Sequence, residues 1–251
     1  ALPANKNKIL SSDVSFVGSL YNEKHNFLDR MTDLDDYTRG YIDAIIEAQI
    51  KISGYFFIEE LLTKDIIEAM KKSLDYSPNK YGTETVEYVY ANYFIARKIT
   101  AIERNRLLTA VSNKFETKLY THNETPELPK IKNMGAVDYY DIMPFVFKNS
   151  KINLNITLRS IQTGIPLRCF DIFGAGGFLL TNYQADLFDY FTPGEDFDFY
   201  DSEESLLAKI DYYLSHDKER AEIARNAYEK VKSGHTYKDR LELMMEVAEV
   251  G

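Results

Sequence analysis

The 251 residues are 45% hydrophobic with a formal net charge of -9 and one cysteine, Cys169. That length allows one large domain or two small ones with ample core, and the acidic balance argues against a nucleic-acid surface. A lone cysteine excludes a disulfide framework and a thiolate metal cluster; the lack of a long apolar run or signal peptide excludes an integral membrane segment and points to a cytoplasmic protein.

Taken in order, ALPANKNK opens without Met and reads as the middle of a longer protein. Residues 13–17 form a strand candidate that ends at Gly18-Ser19. A strand running into a small-residue turn is how doubly wound sheets open a ligand crevice. Lys24 and His25 follow near the same edge; taken alone, the first reads as a solvated lysine and the second as a surface or capping residue. From about residue 33 to 112 the pattern is helical. Ile42, Ile45, Ile46 and Gln49 trace one face, Ile58, Leu61, Leu62, Ile66, Ile67 and Met70 another, and 78–82 breaks the run before a long helix. So long a block exceeds a single crossover, and we read it as a helical insertion after the first strand, over about 33–114. Residues 118–121 form the next strand. A loop or short strand is expected at 135–140, and a short helix capped by Asp141 runs to Phe147.

Residues 151–182, KINLNITLRSIQTGIPLRCFDIFGAGGFLLTN, organise the rest. They read as strand, Gly-containing loop, short helix and strand, with Pro166 suited to the first helical position. A helix N-terminus after such a loop offers backbone N–H groups and a positive dipole end to a phosphate. Arg168 and Asp171 lie three apart and share a face. Arg168 is placed to reach a phosphate, and Asp171 to accept from a ribose diol. The plainer alternative is a solvated ion pair of little worth. Beyond Asn182 come a short helix near Ala185, a strand at 197–200, and a helix started by Asp201 with Glu204 in a capping-box pattern. Helices from Asp217 and after His235-Thr236-Tyr237 follow, the last carrying Leu241, Met244, Met245 and Ala248.

KINLNIT, GIPLRCFDIFGAGGFLLTNY, YYLSHDKERAEIARNAYEKV and HTYKDR, in that order, resemble the C-terminal, donor-binding domain of GT-B glycosyltransferases. More narrowly, they resemble the group 1 domain that includes spore-maturation-like proteins. VSFVGSLYNEKH looks like the family's opening strand and phosphate loop. The resemblance implies an α/β fold: a Rossmann-like parallel sheet with flanking helices, the C-terminal half of a GT-B fold, here with the helical insertion. All of 1–251 would form this nucleotide-sugar-binding domain.

The resemblance also implies roles. Gly18 and Ser19 let backbone approach the donor diphosphate, and Lys24 lies on the phosphates. Thr163, Gly164 and Ile165 offer N–H groups to the diphosphate. Asp171 holds the ribose, and Val137 and Tyr139 fall near the segment that contacts the base. Ser19 stands where many members have arginine, and Thr163 where they have the first glutamate of an acidic pair. The N-terminal acceptor domain is expected to be missing, leaving this piece inactive alone.

The implied reaction is metal-independent, mostly retaining transfer from a nucleoside-diphosphate sugar to a hydroxyl of a glycan, lipid or protein, in bacterial-type cell-surface glycan biosynthesis. No further cofactor is expected. The transition state needs an oxocarbenium-like sugar and a departing diphosphate stabilised. Lys24, Arg168 and the helix start after Gly164 would carry the leaving-group charge. Asp196-Phe197-Asp198 has the bare spacing of a metal motif but reads as a strand-edge loop. Two rivals remain: a Rossmann-type oxidoreductase, for which no strand runs into G-x-G-x-x-G, and a non-catalytic module that binds sugar nucleotides or a protein.

Overall fold

The computed structural model describes residues 4–22, 26–76, 78–79 and 81–250. A short helix, α1 (Ala4–Leu10), leads into β1 (Ser12–Val17). The insertion follows: α2 (Asp36–Ile50), α3 (Ile58–Leu61), α4 (Lys64–Ser73) and α5 (Val86–Val89), which passes through a π turn at Tyr90–Ile95 into α6 (Ala96–Lys114). Then come β2 (Thr117–Tyr120), β3 (Lys132–Asn133), α7 (Met143–Asn149), β4 (Ser150–Asn155), α8 (Leu167–Gly174) and β5 (Leu179–Asn182). The chain closes with β6 (Asp198–Tyr200), α9 (Glu203–Ser215), α10 (Asp217–Gly234) and α11 (Tyr237–Val250).

The six strands form one parallel sheet in the order β3-β2-β1-β4-β5-β6. The molecule is thus an α/β protein with a Rossmann-like sheet and flanking helices. Strands covered on both faces must be apolar on both. One face buries Val14, Phe16, Ile152, Leu154 and Leu180 under Leu108 and Val111 of α6 and Leu206, Ile210 and Tyr213 of α9. The other buries Leu179 and Phe197 under Met143 and Phe147 of α7, Cys169, Ile172 and Phe173 of α8, and Ala227 and Val231 of α10. Polar strand residues survive in this core by bonding across it: Ser15 Oγ donates to Asn153 Oδ1 at 3.0 Å, and Asn155 Nδ2 donates to Thr181 Oγ1 at 3.0 Å.

The insertion has a core of its own. Ile42, Ile45 and Ile46 of α2, Ile66, Ile67 and Met70 of α4, and Tyr90, Phe94 and Ile95 of the π turn meet there. Asp35 and Thr63 cap α2 and α4 through bonds to the amides of Thr38 and Ile66. One buried ion pair ties this body to the sheet, Glu103 of α6 to Arg159 after β4, at 2.5 and 2.8 Å.

Local details differ from the sequence reading. Pro166 is the N-cap of α8, one residue before the first helical position, because its ψ of 136° is extended. Asp141 caps nothing: α7 begins after Ile142, and it is Asp138 Oδ1 that takes the Tyr140 and Asp141 amides. The capping box of α9 is Ser202 with Ser205, one position on from Asp201 and Glu204. Residues 135–140 take the loop alternative, and the two-residue β3 that the sequence reading did not place lies just before them. In α11, Leu241, Met244, Met245 and Val247 are all exposed. Among the described residues no helix is long and apolar enough to cross a membrane.

Candidate functional site

From β1 the chain steps outward through β2 to β3, and from β4 it steps the other way through β5 to β6. Their crossover helices, α6 and α8, lie on opposite faces. The loops leaving β1 and β4 therefore diverge, and the crevice beyond their carboxyl ends is where such folds bind ligands.

The first loop is tightly committed. The Gly18 amide donates to Tyr120 O at 3.1 Å, and its missing Cβ leaves space for the Phe16 ring, which a Cβ would meet at 3.3 Å. Ser19 Oγ donates to Asn123 Oδ1 at 3.2 Å and accepts from the Tyr21 amide at 3.1 Å. Tyr21 holds φ at 55°, a costly value outside glycine that persists only where surroundings enforce it. Lys24, Glu23 and His25 lie outside the described residues.

Beneath this loop sits Arg104 of α6, which the sequence did not single out. It is buried, donates to Ser19 O and to Ile156 O (3.1 Å from Nε), and lies over the rings of Phe16 and Tyr21 at 5.2 and 4.8 Å. Burial pulls its pKa down, and the nearby Tyr21 and Tyr200 counter that pull. One guanidinium thus gathers the carbonyls of both diverging loops. Strand carbonyl ends repel an anion, and a cation among them offsets that field. It lies beside Ser19, the position where the resemblance leads one to expect an arginine. Nothing in the sequence could flag it, being one of three arginines on α6.

The second loop carries Thr163, Gly164 and Ile165. Thr163 is exposed, and Ile165 packs at the edge of the core over α8. Gly164 has φ of 81°, favoured by glycine alone, and its amide donates to Asp186 Oδ2 at 2.5 Å. An oxyanion already rests on the amide expected for a phosphate.

On α8, Arg168 and Asp171 do pair, at 3.0 Å, each side chain about a quarter exposed or less. Arg168 also lies 5.4 Å from the Phe147 ring centroid. The second Asp171 oxygen accepts from Tyr139 Oη at 2.7 Å. That bond, with some burial, pushes the tyrosine up to about 12, so at neutral pH it stays a donor. A carboxylate has about four acceptor sites, and two are used here. Asp171 is oriented but not saturated. Val137 lies half-buried between two hydrophobic clusters.

Beside Asp171 opens a cavity of about 280 Å3 between α8 and the α10–α11 junction, lined by Leu167, Phe170, His235, Tyr237 and Arg240. Arg240 donates to His235 Nδ1 at 2.5 Å, which fixes that ring as the tautomer with hydrogen on Nε2. Burial, then the charges of Arg240 and Lys230, lower the His235 pKa below 6.5. Cys169 beneath is pushed up to about 12 by burial and is an inert thiol.

The acidic pair at 196 and 198 is structural. Asp196 accepts from Lys230 and the Thr192 amide, and Asp198 from Lys209 and Tyr213. Among the described residues no cluster of three His, Cys, Asp or Glu side chains could hold a metal ion.

The fold defines a class, the parallel-sheet α/β proteins, and places this crevice at its topological switch point. Residues 97–246, more than half of the chain, match the family model described as Glycosyl transferase-like, and the chain belongs to that family. The match begins at the start of α6, so it takes in Arg104, Arg168 and Asp171 and leaves β1 and most of the insertion outside. The general activity is sugar transfer from a donor to an acceptor. No curated protein matches the sequence.

Proposed function

We propose that this chain is the donor-binding half of a GT-B glycosyltransferase of the group 1, spore-maturation-like kind. It takes the sugar from a nucleoside diphosphate. One observation carries the reading: Asp171, one turn into α8, is held by Tyr139 and Arg168 at the mouth of a ring-lined cavity with acceptor sites to spare. That suits a ribose diol, with the base among Leu167, Phe170 and Tyr237. The diphosphate then lies toward residues 163–165 and the start of α8, near Arg168 and over Arg104.

In this reading the leaving diphosphate is stabilised by fixed cations and backbone amides without a metal. Lys24 adds a further charge. The reaction proceeds with retention, and Asp171 positions the donor without reacting. The acceptor hydroxyl is supplied on a second, N-terminal-type domain. The apolar side chains exposed along α11 suit contact with such a domain, because a free helix would show water a polar face.

Calorimetric titration of the chain with UDP, GDP and ADP and their sugars tests the proposal. Binding that is lost in Asp171→Ala and Arg168→Ala is expected. Binding of NADH instead would return the protein to the oxidoreductases, and binding of none of these would favour an interaction module.

A further inference from the structure

A second cavity, about 200 Å3, opens at the carboxyl ends of β4 and β5 next to the Gly164 loop. Buried Thr157 and half-buried Asn182 line it together with exposed Gln162 and Thr163. Its far wall is contributed by the insertion, through Tyr55 and Phe56 in the loop at 52–57. That loop is firmly built. Gln49, fully buried, donates to Ile52 O and Tyr55 O at 3.2 and 2.8 Å and accepts from the Phe57 amide at 3.0 Å. Arg159 donates to Ile52 O at 3.3 Å. Gly54, at φ 80°, lies so close to Tyr183 that a Cβ would meet its ring at 3.0 Å.

Part of the polar lining is held by the fold: Thr157 Oγ1 accepts from Asn155, Tyr55 Oη donates to Glu60, and Gln184 donates to Tyr183 O. Other groups are left open. Asn182 spends Oδ1 on the Thr157 amide at 2.9 Å and keeps Nδ2 without a protein partner among the described residues. The side chains of Gln162 and Thr163 likewise make no protein hydrogen bond among the described residues. Amides and hydroxyls offer both donors and acceptors, and aromatic rings offer flat apolar faces, which together match a polyol ring. The volume is below the ~300 Å3 at which pockets begin to enclose drug-sized ligands, so it suits one ring. Arg159 is the charged residue of the lining, and its charge is spent on Glu103 at 2.5 Å. Thr163 borders both this cavity and the loop assigned to the diphosphate.

We infer that this cavity is the subsite for the transferred sugar, that it takes a neutral sugar, and that loop 52–57 of the insertion sets which one is accepted. The inference rests on the donor-site reading above. The test is calorimetry on the whole chain with UDP, GDP and ADP, then with the neutral-hexose and uronic-acid derivatives of whichever binds. Tyr55→Ala and Gln162→Ala should weaken the nucleotide hexose about tenfold while leaving the bare nucleoside diphosphate within about twofold. Tyr55→Phe, which keeps the ring, should stay near the unaltered chain, and the uronic-acid derivative should bind more weakly than the hexose. If nucleoside diphosphates bind but the variants shift both ligands alike, or neither, the subsite is wrong and the donor site stands. If no nucleoside diphosphate binds the unaltered chain, the donor reading falls and takes the subsite with it.

Discussion

The sheet and the helical insertion are both well packed, but they carry chemistry in different ways. The sheet concentrates its candidate groups in one strand–loop–helix unit, where Gly164, Arg168 and Asp171 lie within eight residues. The insertion has its own core and no motif, and it reaches the crevice through Arg104, through Thr100 and Glu103, which hold Arg159, and through a loop pinned by Gln49. Local turn chemistry places a site in the first case, and tertiary contact does so in the second. The insertion should therefore fail through stability and selectivity, and the sheet unit through affinity.

The largest effect should come where the two regions join. Arg159→Met leaves Glu103 buried without its partner, which costs about 3–5 kcal/mol. Urea unfolding should show that loss. A change below about 1 kcal/mol would mean that the pair behaves as an exposed one and that the insertion docks loosely. Next is Asp171→Ala, which should remove about 1.5–3 kcal/mol of nucleoside diphosphate affinity, the worth of hydrogen bonds to a charged group. Calorimetry beside a thermal melt separates this from unfolding, since the residue is part-exposed and its loss should leave the melt nearly unchanged.

A smaller effect of opposite sign is expected at Asp186. In the proposed donor site its carboxylate would compete with a phosphate for the Gly164 amide, so Asp186→Ala should tighten nucleoside diphosphate binding by about fivefold, one net hydrogen bond. Weaker binding instead would make Asp186 a brace that the loop requires.

The smallest concerns pH. His235 has its pKa lowered in the fold by burial, with Arg240 and Lys230 on the same side and Asp239 opposing. The unfolded chain thus binds the proton more readily. Stability from the neutral ring is present above pH 6.5 and is lost as pH falls below it. Thermal melts between pH 7.5 and 5 should show that slope, and His235→Gln should flatten it.

The same contrast explains what the sequence made legible. Alternation in Ile152 and Leu154, and the Gly164-Ile165-Pro166 turn before α8, announced the sheet unit because period and turn chemistry are local. The polar, exposed β3 has only Lys132 and Asn133, too short for any period to register. Pro166 misled by one residue because a proline's fixed φ suits the N-cap as well as the first turn. Tyr139 was placed by resemblance alone, and its bond to Asp171 joins residues 32 apart. Arg104, Asp186 and loop 52–57 act through partners far away in the chain, and no spacing rule reaches them.

The most direct measurement is a crystal structure of the chain grown with the nucleoside diphosphate that binds best. The ribose should lie on the Asp171 carboxylate, with phosphates against residues 163–165 and Asp186 turned off the Gly164 amide. A nucleotide seated elsewhere, with Arg168, Asp171 and Tyr139 still bonded only to one another, would contradict the account.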